Sequence, residues 1–477
     1  MHAPSEDSVR VWLATALAIS LVLSMAIAAG LVVAGDTAVR AVRSTAPGHV
    51  VRLRGRSRVD SWHPMLRAYQ RKIEDPRSDL YAVFFEDHVK FQYPPAALMV
   101  FDLVPASMTR LVDGRISEAL HHWLDWRSRA ALALTVLTSA VILEIGVRRL
   151  APDRPARPVW VGARIGLSVA LGLTYFPVLT GYTLGQIQVF LNALIALAVL
   201  FYLLGRQVPA GVCIGLCCLV KPQYGLILLW SLLRRQRRFT LGLTGALLVG
   251  LAISVVRFGL QDHVRYLEVV RELSRVGEAF WFNQSANGLL NRLLENGSAF
   301  SRTGVPSELP PYHPVVYTLT VISSVAILVL ALWPRKDGHR ADGGVIDLMV
   351  MVVATTMASP IAWNHHYGAF LPILAAAVPG LILARPLGRA TAPLFALSYV
   401  MMANVMLRSN LLFRNPWVGL AGSHVFFGSL IFFGLLLALR AVAGPWADAR
   451  GDAAERLAAV IASRESTRRR ELAGAGG

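Results

Sequence analysis

Charged residues and cysteines are scarce in this sequence. Of its 477 residues only 16% are charged, whereas 55% are hydrophobic, and the mean hydropathy is +0.51. Soluble domains carry about 25% charged residues, so this composition argues against a soluble globular protein. The three cysteines, Cys213, Cys217 and Cys218, share one apolar segment. That placement argues against a disulfide framework or a spaced zinc site, and it favours core packing.

Acidic residues are also few, 29 against 47 Lys and Arg, which gives a formal charge of +18. The basic residues cluster in short connections between apolar runs, as the positive-inside rule predicts without any polyanionic partner. We therefore expect no nucleic-acid binding. The Arg-rich loops 148–157, 234–238 and 335–340 and the tail 448–477 are predicted to be cytoplasmic. The tail is expected to bind anionic lipid headgroups.

Long apolar runs dominate the rest of the chain. A membrane-spanning helix needs about 20 apolar residues, and the candidate runs are residues 11–34, 130–147, 159–176, 185–204, 239–257, 312–333, 345–360, 366–384, 389–407 and 423–440. The first run is too long for the core of a signal peptide and is predicted to be a retained helix. The runs predict an all-α polytopic membrane protein with one membrane domain over residues 1–447.

Two further stretches are interrupted. Residues 208–233 are broken by Lys221-Pro222, where proline ends or kinks a helix. Residues 94–111 open with two prolines and contain charges, so they form a marginal span. Cytoplasmic Arg-rich loops require that 94–111 dips into the membrane and returns, and that 208–233 forms a hairpin of two half-helices. With half-helices included, we expect about 11 to 13 membrane segments.

This topology places the long segments 35–93 and 258–311 on the outer side, where they form the predicted active-site face. Within the first of them, Trp62, Met65, Leu66 and Tyr69 recur at helical spacing. They predict a short amphipathic helix that lies along the membrane interface. The sequence shows no soluble domain and no internal repeat.

Polar side chains beside aromatics or prolines recur at the outer ends of the apolar runs. The candidate functional residues are Asp60, Tyr93, Gln186, Lys221, Asn283, Gln284, His365 and His366. Most have a structural alternative: an interfacial aromatic for Tyr93, a helix cap or interhelical hydrogen bond for Gln186, and turn formation for the loop asparagine. The two histidines could be interfacial without a role. Adjacent residues of a helix point about 100° apart, so joint metal binding by this pair is not expected.

Lys221 has the clearest functional signal. An ionised lysine within an apolar segment is costly unless it faces a polar cavity or an anion. Pro222 would end the first half-helix, so the free N–H groups that begin the second would lie at the same point and favour a phosphate. Transfer of a sugar from a lipid-linked phosphate fits this arrangement. The acceptor hydroxyl needs a carboxylate base, the phosphate needs only cations and N–H donors, and no metal is required.

The stretches YPPAALMVF, GQIQVFLNALIAL, KPQYGLILL, WFNQSANGLL and SPIAWNHHYGAFLPIL, in this order, resemble the membrane mannosyltransferases of glycosyltransferase family 87. The resemblance runs from about Asp60 to about Pro372 and implies a C-type glycosyltransferase fold. It also implies an inverting transfer of mannose from a polyprenyl-phosphate donor, without metal or other cofactor. The site would lie on the periplasmic side of a bacterial inner membrane.

The resemblance also implies roles for particular residues. Asp60 matches the family's aspartate in the first outer loop, the expected catalytic base, with Asp79, Glu86 and Asp87 as substitutes. Lys221 matches the family's KP lysine, and His365 and His366 match its histidine pair. The lysine and the histidines are expected to bind the donor phosphate or sugar.

Other functions remain open at this stage. A transporter or flippase of lipid-linked sugars could also hold a phosphate at Lys221, but it would not need a base in an outer loop. An acyltransferase is weaker, because no HxxxxD motif follows His365 or His366. The sugar could be mannose, glucose or arabinose. The acceptor could be a glycolipid, a polysaccharide or a protein, and we expect a glycolipid or polysaccharide.

Overall fold

The computed structural model describes residues 6–33, 45–150, 157–300, 309–333, 344–404 and 420–442. The predicted Arg-rich tail lies outside the described residues, as do loop 335–340 and most of loop 148–157.

The described chain is built almost entirely from helices. The α-helices are α1 (Glu6–Val33), α2 (Ala46–Arg52), α3 (Trp62–Glu74), α4 (Ala82–Phe85), α5 (Glu118–Leu150), α6 (Pro158–Thr174), α7 (Phe176–Thr183), α8 (Gln188–Leu203), α9 (Gln207–Val220), α10 (Leu226–Leu233), α11 (Arg237–Phe258), α12 (Leu260–Val276), α13 (Ala286–Leu293), α14 (Pro314–Leu332), α15 (Val345–Met357), α16 (Leu371–Ala384), α17 (Thr391–Ala403) and α18 (His424–Val442). Four 3₁₀ segments are Pro95–Leu103, Pro222–Gly225, Asn364–Phe370 and Gly388–Ala390. A two-stranded antiparallel ribbon joins β1 (Leu111–Val112) to β2 (Arg115–Ile116).

Six helices of the described chain are long and apolar enough to cross a membrane. They are Asp7–Gly30, Glu118–Leu150, Arg237–Phe258, Pro314–Leu332, Asn364–Ala384 and His424–Val442. The pair α6 and α7, bent by 55°, makes a seventh candidate, and four shorter apolar helices add to these. The prediction of an all-α polytopic membrane protein is confirmed. The marginal stretch 94–111 is not a span, since it contains only a 3₁₀ segment followed by the ribbon.

The interrupted stretch 208–233 forms the predicted hairpin. Helix α9 ends at Val220, and α10 runs back from Leu226. The Nε2 atom of Gln207, at the start of α9, donates to Oε1 of Gln236, just before α11, over 3.1 Å. The chain therefore returns to the end from which α9 began. Helix α11 then packs closely on α9, because a Cβ atom at Gly211 would lie 2.1 Å from the Phe239 carbonyl oxygen.

The amphipathic helix predicted around Trp62 is α3, but its apolar face does not lie on lipid. Trp62, Met65 and Leu66 are almost completely buried, and the Trp62 and Phe101 rings meet edge to face at 6.4 Å. The segment Pro95–Leu103 supplies this apolar partner from within the chain. The prediction of a helix is confirmed, and its predicted interfacial position is corrected to packing against protein.

Candidate active site

A cavity of about 530 Å³ opens among the ends of several helices. Six of the eight predicted site residues line it: Asp60, Tyr93, Gln186, Lys221, His365 and His366. These residues come from parts of the chain up to about 300 positions apart, and the fold brings them to one place. The volume is in the range of small-molecule sites.

Backbone hydrogen bonds dock the Asp60 segment onto the turn that follows α7. The Asp60 amide donates to the Leu184 carbonyl oxygen over 3.0 Å, and the Ser61 amide donates to that of Gly185 over 3.2 Å. Gly185 has φ +67°, and a Cβ atom there would lie 1.7 Å from the Arg58 carbonyl oxygen. Only glycine allows this approach, so the turn and the Asp60 segment form one unit.

The Asp60 carboxylate is held by an amide. Gln186 Nε2 donates to Asp60 Oδ2, while Gln186 Oε1 accepts from the Ser61 hydroxyl over 2.5 Å. The Tyr93 hydroxyl lies 2.7 Å from Ser61 Oγ. Burial raises the pKa of Tyr93 well above its ordinary value, so the phenol stays protonated. Within the described chain Asp60 Oδ1 makes no hydrogen bond to protein, and the Asp60 side chain lines the cavity.

Lys221 lies at the break between α9 and the 3₁₀ segment that begins at Pro222. Its side chain is 7% exposed and lines the cavity, and its Nζ atom makes no hydrogen bond within the described chain. No carboxylate of the described protein pairs with this amine, and an anion in the cavity would supply the missing partner.

The histidine pair lies in the 3₁₀ segment Asn364–Phe370. The His365 and His366 rings are 4.6 Å apart and nearly perpendicular, and both line the cavity. His365 Nδ1 is buried with no hydrogen-bond partner among the described residues. Each neutral imidazole has one N–H donor and one acceptor nitrogen, so the pair can hydrogen-bond to phosphate or sugar oxygens beside Lys221.

The two predicted loop amides lie outside the cavity lining and are occupied by the chain itself. Asn283 Nδ2 donates to the carbonyl oxygens of Glu278 and Pro360 over 2.9 and 3.0 Å. Gln284 Nε2 donates to that of Gly422 over 2.7 Å. Both side chains are completely buried. They brace the loop that precedes the histidines, and each side-chain nitrogen donates to two backbone carbonyl oxygens of the protein.

The substitute bases do not line the cavity. Asp79 pairs with Arg265 over 3.1 Å, and Asp87 pairs with Arg67 over 3.1 Å. Neither Asp79, Glu86 nor Asp87 lines the cavity, and Asp60 is the only carboxylate among the described residues that does.

Sequence reasoning missed a second lysine at the cavity. Lys90 Nζ lies 3.7 Å from the centroid of the Trp363 ring and 3.4 Å from Glu278 Oε1. Trp363 Nε1 in turn donates to Glu278 Oε2. Lys90 directly precedes the FQYPP stretch and Trp363 lies within SPIAWNHH. Proximity to these motifs was the available signal.

The fold and the cavity define a polytopic, all-α membrane protein whose pocket is lined, within the described residues, by two lysines, two histidines and one carboxylate. Residues 91–360, more than half of the chain, match glycosyltransferase family 87. The chain belongs to this family, and the predicted resemblance is confirmed. Asp60 and the histidine pair lie outside the matched range, so their roles are argued from the cavity.

Three curated relatives are similar to the chain. It is 27% identical over 300 residues to a polyprenol-phosphate-mannose-dependent alpha-(1-2)-phosphatidylinositol mannoside mannosyltransferase of Mycolicibacterium smegmatis, covering 60% of each chain. The enzyme of the same name from Mycobacterium tuberculosis is 24% identical over 60% of this chain and 61% of its own. A polyprenol-phosphate-mannose-dependent alpha-(1-2)-phosphatidylinositol pentamannoside mannosyltransferase of Mycobacterium tuberculosis is 23% identical over 65% of each. The chain thus spans about 60% of the length of the first two relatives. No solved structure matches it significantly.

Proposed function

We propose that this protein transfers mannose from a polyprenyl-phosphate donor to a hydroxyl group of a glycolipid or polysaccharide. One observation carries the proposal: the cavity that holds Lys221 and both histidines is lined by a single carboxylate, Asp60, within the described chain. Such a cavity offers a base for the acceptor and cations for the leaving group.

Asp60 acts as the general base. Its free Oδ1 atom takes the proton of the acceptor hydroxyl as the hydroxyl oxygen attacks the anomeric carbon. The bond between that carbon and the phosphate oxygen breaks, and its electron pair stays on the phosphate. Attack from the face opposite the leaving group inverts the anomeric configuration. Gln186 holds Oδ2 and thereby fixes the direction of the carboxylate.

Lys221, His365 and His366 bind the donor phosphate. Charge develops on the leaving oxygen, and preorganised donors in a buried site stabilise that charge more than water does. The unpartnered Lys221 ammonium and His365 Nδ1 are available for this task. With the lysine and the two histidines as hydrogen-bond donors to the phosphate, the transfer needs no metal ion.

Two further observations support the donor and the side of the membrane. The similar mycobacterial enzymes are named for dependence on polyprenol-phosphate mannose, and their named acceptors are phosphatidylinositol mannosides. We extend the donor, and an acceptor of the glycolipid class, to this chain. The Arg-rich loop 234–238 follows the end of α10 that is farther from Lys221. Since such loops stay in the cytoplasm, the cavity faces the periplasm.

The test is transfer by purified full-length protein in detergent, with labelled polyprenyl-phosphate mannose and a lipid acceptor pool. Asp60→Asn should lower the rate by about 10²–10⁴-fold, because the base is lost. Asp79→Asn is the matched control and should leave the rate unchanged. Loss in the Asp79 variant with retention in the Asp60 variant would move the base to Asp79. No label transfer by the wild type from mannose, glucose or arabinose donors would overturn the proposed enzyme.

Metal independence has its own measurement. Treatment with EDTA followed by desalting should leave the transfer rate unchanged, because Lys221 and the histidines bind the phosphate without a metal ion. Loss of activity that added Mg²⁺ or Mn²⁺ restores would contradict this part of the mechanism.

A further inference from the structure

Helix α12 borders the cavity and has four different faces around its axis. Residues seven positions apart share a face of a helix, so the surfaces follow from the spacing. Asp262, Val269 and Val276 are buried against the protein. On the adjoining face of the helix, Tyr266 and Leu273 line the cavity.

The two remaining surfaces of α12 are exposed, and they differ in chemistry. Leu260, Val264 and Leu267 form an apolar strip, with exposed fractions of 65%, 56% and 63%. Beside it, Gln261 and Glu268 form an exposed polar strip. An apolar strip of this kind next to a polar one is typical of helices that lie flat in a membrane interface.

Both ends of α12 are fixed at the ends of membrane-spanning helices. The candidate span Arg237–Phe258 stops one residue before α12, with only Gly259 between them. At the other end, the Arg275 guanidinium lies 4.9 Å from the centre of the Tyr312 ring, two residues before the candidate span Pro314–Leu332. A helix whose two ends sit at membrane boundaries runs along the membrane plane.

Arg271 and Tyr312 are side chains of the kinds that suit a membrane interface. Arg271 continues the apolar strip by one further turn after Leu267 and is exposed. A long arginine side chain in this position can keep its stem on apolar surface while its guanidinium reaches lipid phosphates. Tyr312, 46% exposed, is an aromatic of the kind found at membrane boundaries.

We infer that α12 is an interfacial helix whose strip Leu260, Val264 and Leu267 is embedded in the lipid leaflet on the cavity side. The strip is therefore covered by lipid acyl chains. Val270, which is 38% exposed and also lines the cavity, lies between the strip and the cavity. The cavity mouth therefore reaches the depth of the leaflet, and a lipid-carried sugar can enter it without leaving the membrane. This last consequence rests on the proposed function.

The experiment is spin labelling of single-cysteine variants reconstituted in vesicles of phosphatidylcholine and phosphatidylglycerol. Labels at Leu260→Cys, Val264→Cys and Leu267→Cys should collide more with oxygen, which concentrates in lipid, than with a water-soluble nickel chelate. Labels at Gln261→Cys and Glu268→Cys are the matched controls and should show the opposite order. The parent chain, whose three cysteines are buried, measures the background. If those thiols take label, they are replaced by alanine.

Two results would overturn the inference. Chelate collisions at the strip equal to those at the control positions would mean that α12 stands in water. Protection of the strip from both reagents would mean that protein, such as a second copy of the chain, covers it. No substrate is present in this measurement, so its failure leaves glycosyl transfer untouched, and absence of transfer leaves the embedding of α12 untouched.

Discussion

Two buried cations in this molecule have opposite surroundings. Arg164, in α6, is 1% exposed and donates through Nε and Nη2 to the Glu144 carboxylate over 2.9 and 3.0 Å. Lys221, at the cavity, is 7% exposed and has no hydrogen-bond partner within the described chain. Glu144 pairs with Arg164, whereas Lys221 remains available to bind a ligand in the cavity.

At the end of the bundle opposite the cavity, the buried carboxylate of Asp347 also has cationic partners. Beside the Arg-rich loop 234–238, Arg234 and Arg440 approach Asp347 to 3.5 and 3.6 Å. This buried carboxylate is thus paired, as expected for a structural charge in a membrane protein. An unpaired buried lysine lowers stability, and its presence at the cavity supports the proposed binding of an anionic ligand.

Replacement of Lys221 or Arg164 by methionine should give the largest difference between the two sites. Lys221→Met should lower the transfer rate by about 10²–10³-fold, because a charge that stabilises the leaving phosphate is lost. Its thermal unfolding in detergent should occur at the same or a higher temperature, because no native contact is removed. Arg164→Met removes the buried partner of Glu144 and leaves it only the more exposed Arg148, whose Nε donates to Glu144 Oε1 over 2.9 Å. It should cost about 3–5 kcal/mol of unfolding free energy.

The double variant Arg164→Met with Glu144→Gln is the control, and it should recover most of the stability lost by the single change. A Lys221→Met protein that unfolds as early as Arg164→Met would show that Lys221 is structural. Full transfer activity in Lys221→Met would remove it from the phosphate site.

Sequence patterns were sufficient for the helices and for the break at Lys221. Hydrophobic runs of membrane length have few alternatives to helix, since an unpaired backbone in lipid is too costly. Proline at 222 removes a backbone donor, which places the break without any knowledge of tertiary contacts. Polar side chains beside aromatics or prolines, at the outer ends of these runs, marked six of the cavity-lining residues.

The sequence could not distinguish amides that face the cavity from amides that bind the backbone. Gln186 and Gln284 both stand beside glycine or asparagine at the edge of an apolar run. Only the fold shows that Gln186 reaches Asp60 while Gln284 holds the Gly422 carbonyl oxygen. Lys90 was missed for a related reason, because its partners Trp363 and Glu278 are distant in sequence. Such pairings depend on tertiary packing, which local patterns do not encode.

A second comparison separates two glycines with similar backbone conformations. Gly185 has φ +67° and would bring a Cβ atom onto the Arg58 carbonyl oxygen, whereas Gly205 has φ +75° and open space. Gly205→Ala should cost about 1–2 kcal/mol of stability through backbone strain alone. Gly185→Ala should cost about 1–3 kcal/mol more through the clash and should also lower transfer, because Asp60 moves with its segment. Equal activity in the two folded variants would show that the turn does not position Asp60.

The smallest expected effect concerns Tyr182, a buried and hydrogen-bonded residue that lies close to the segment carrying Asp60. Tyr182 donates to Asp125 Oδ1 over 2.9 Å, and the same carboxylate oxygen accepts from the Ser57 amide over 2.9 Å. This contact anchors the chain three residues before Asp60. Tyr182→Phe should cost about 1 kcal/mol of stability, the typical worth of one hydrogen bond.

Tyr399→Phe is the matched control, because its hydroxyl is also buried and donates to the Leu171 carbonyl oxygen over 2.9 Å. Both variants should unfold at similarly lowered temperatures, but only Tyr182→Phe should lower kcat, with KM for the donor unchanged. The split follows from position, since the Tyr182 bond holds the segment that carries Asp60 and the Tyr399 bond holds helix against helix. Similar kcat values for the two variants would reduce Tyr182 to a structural residue and leave the Gly185 turn as the element that places the base.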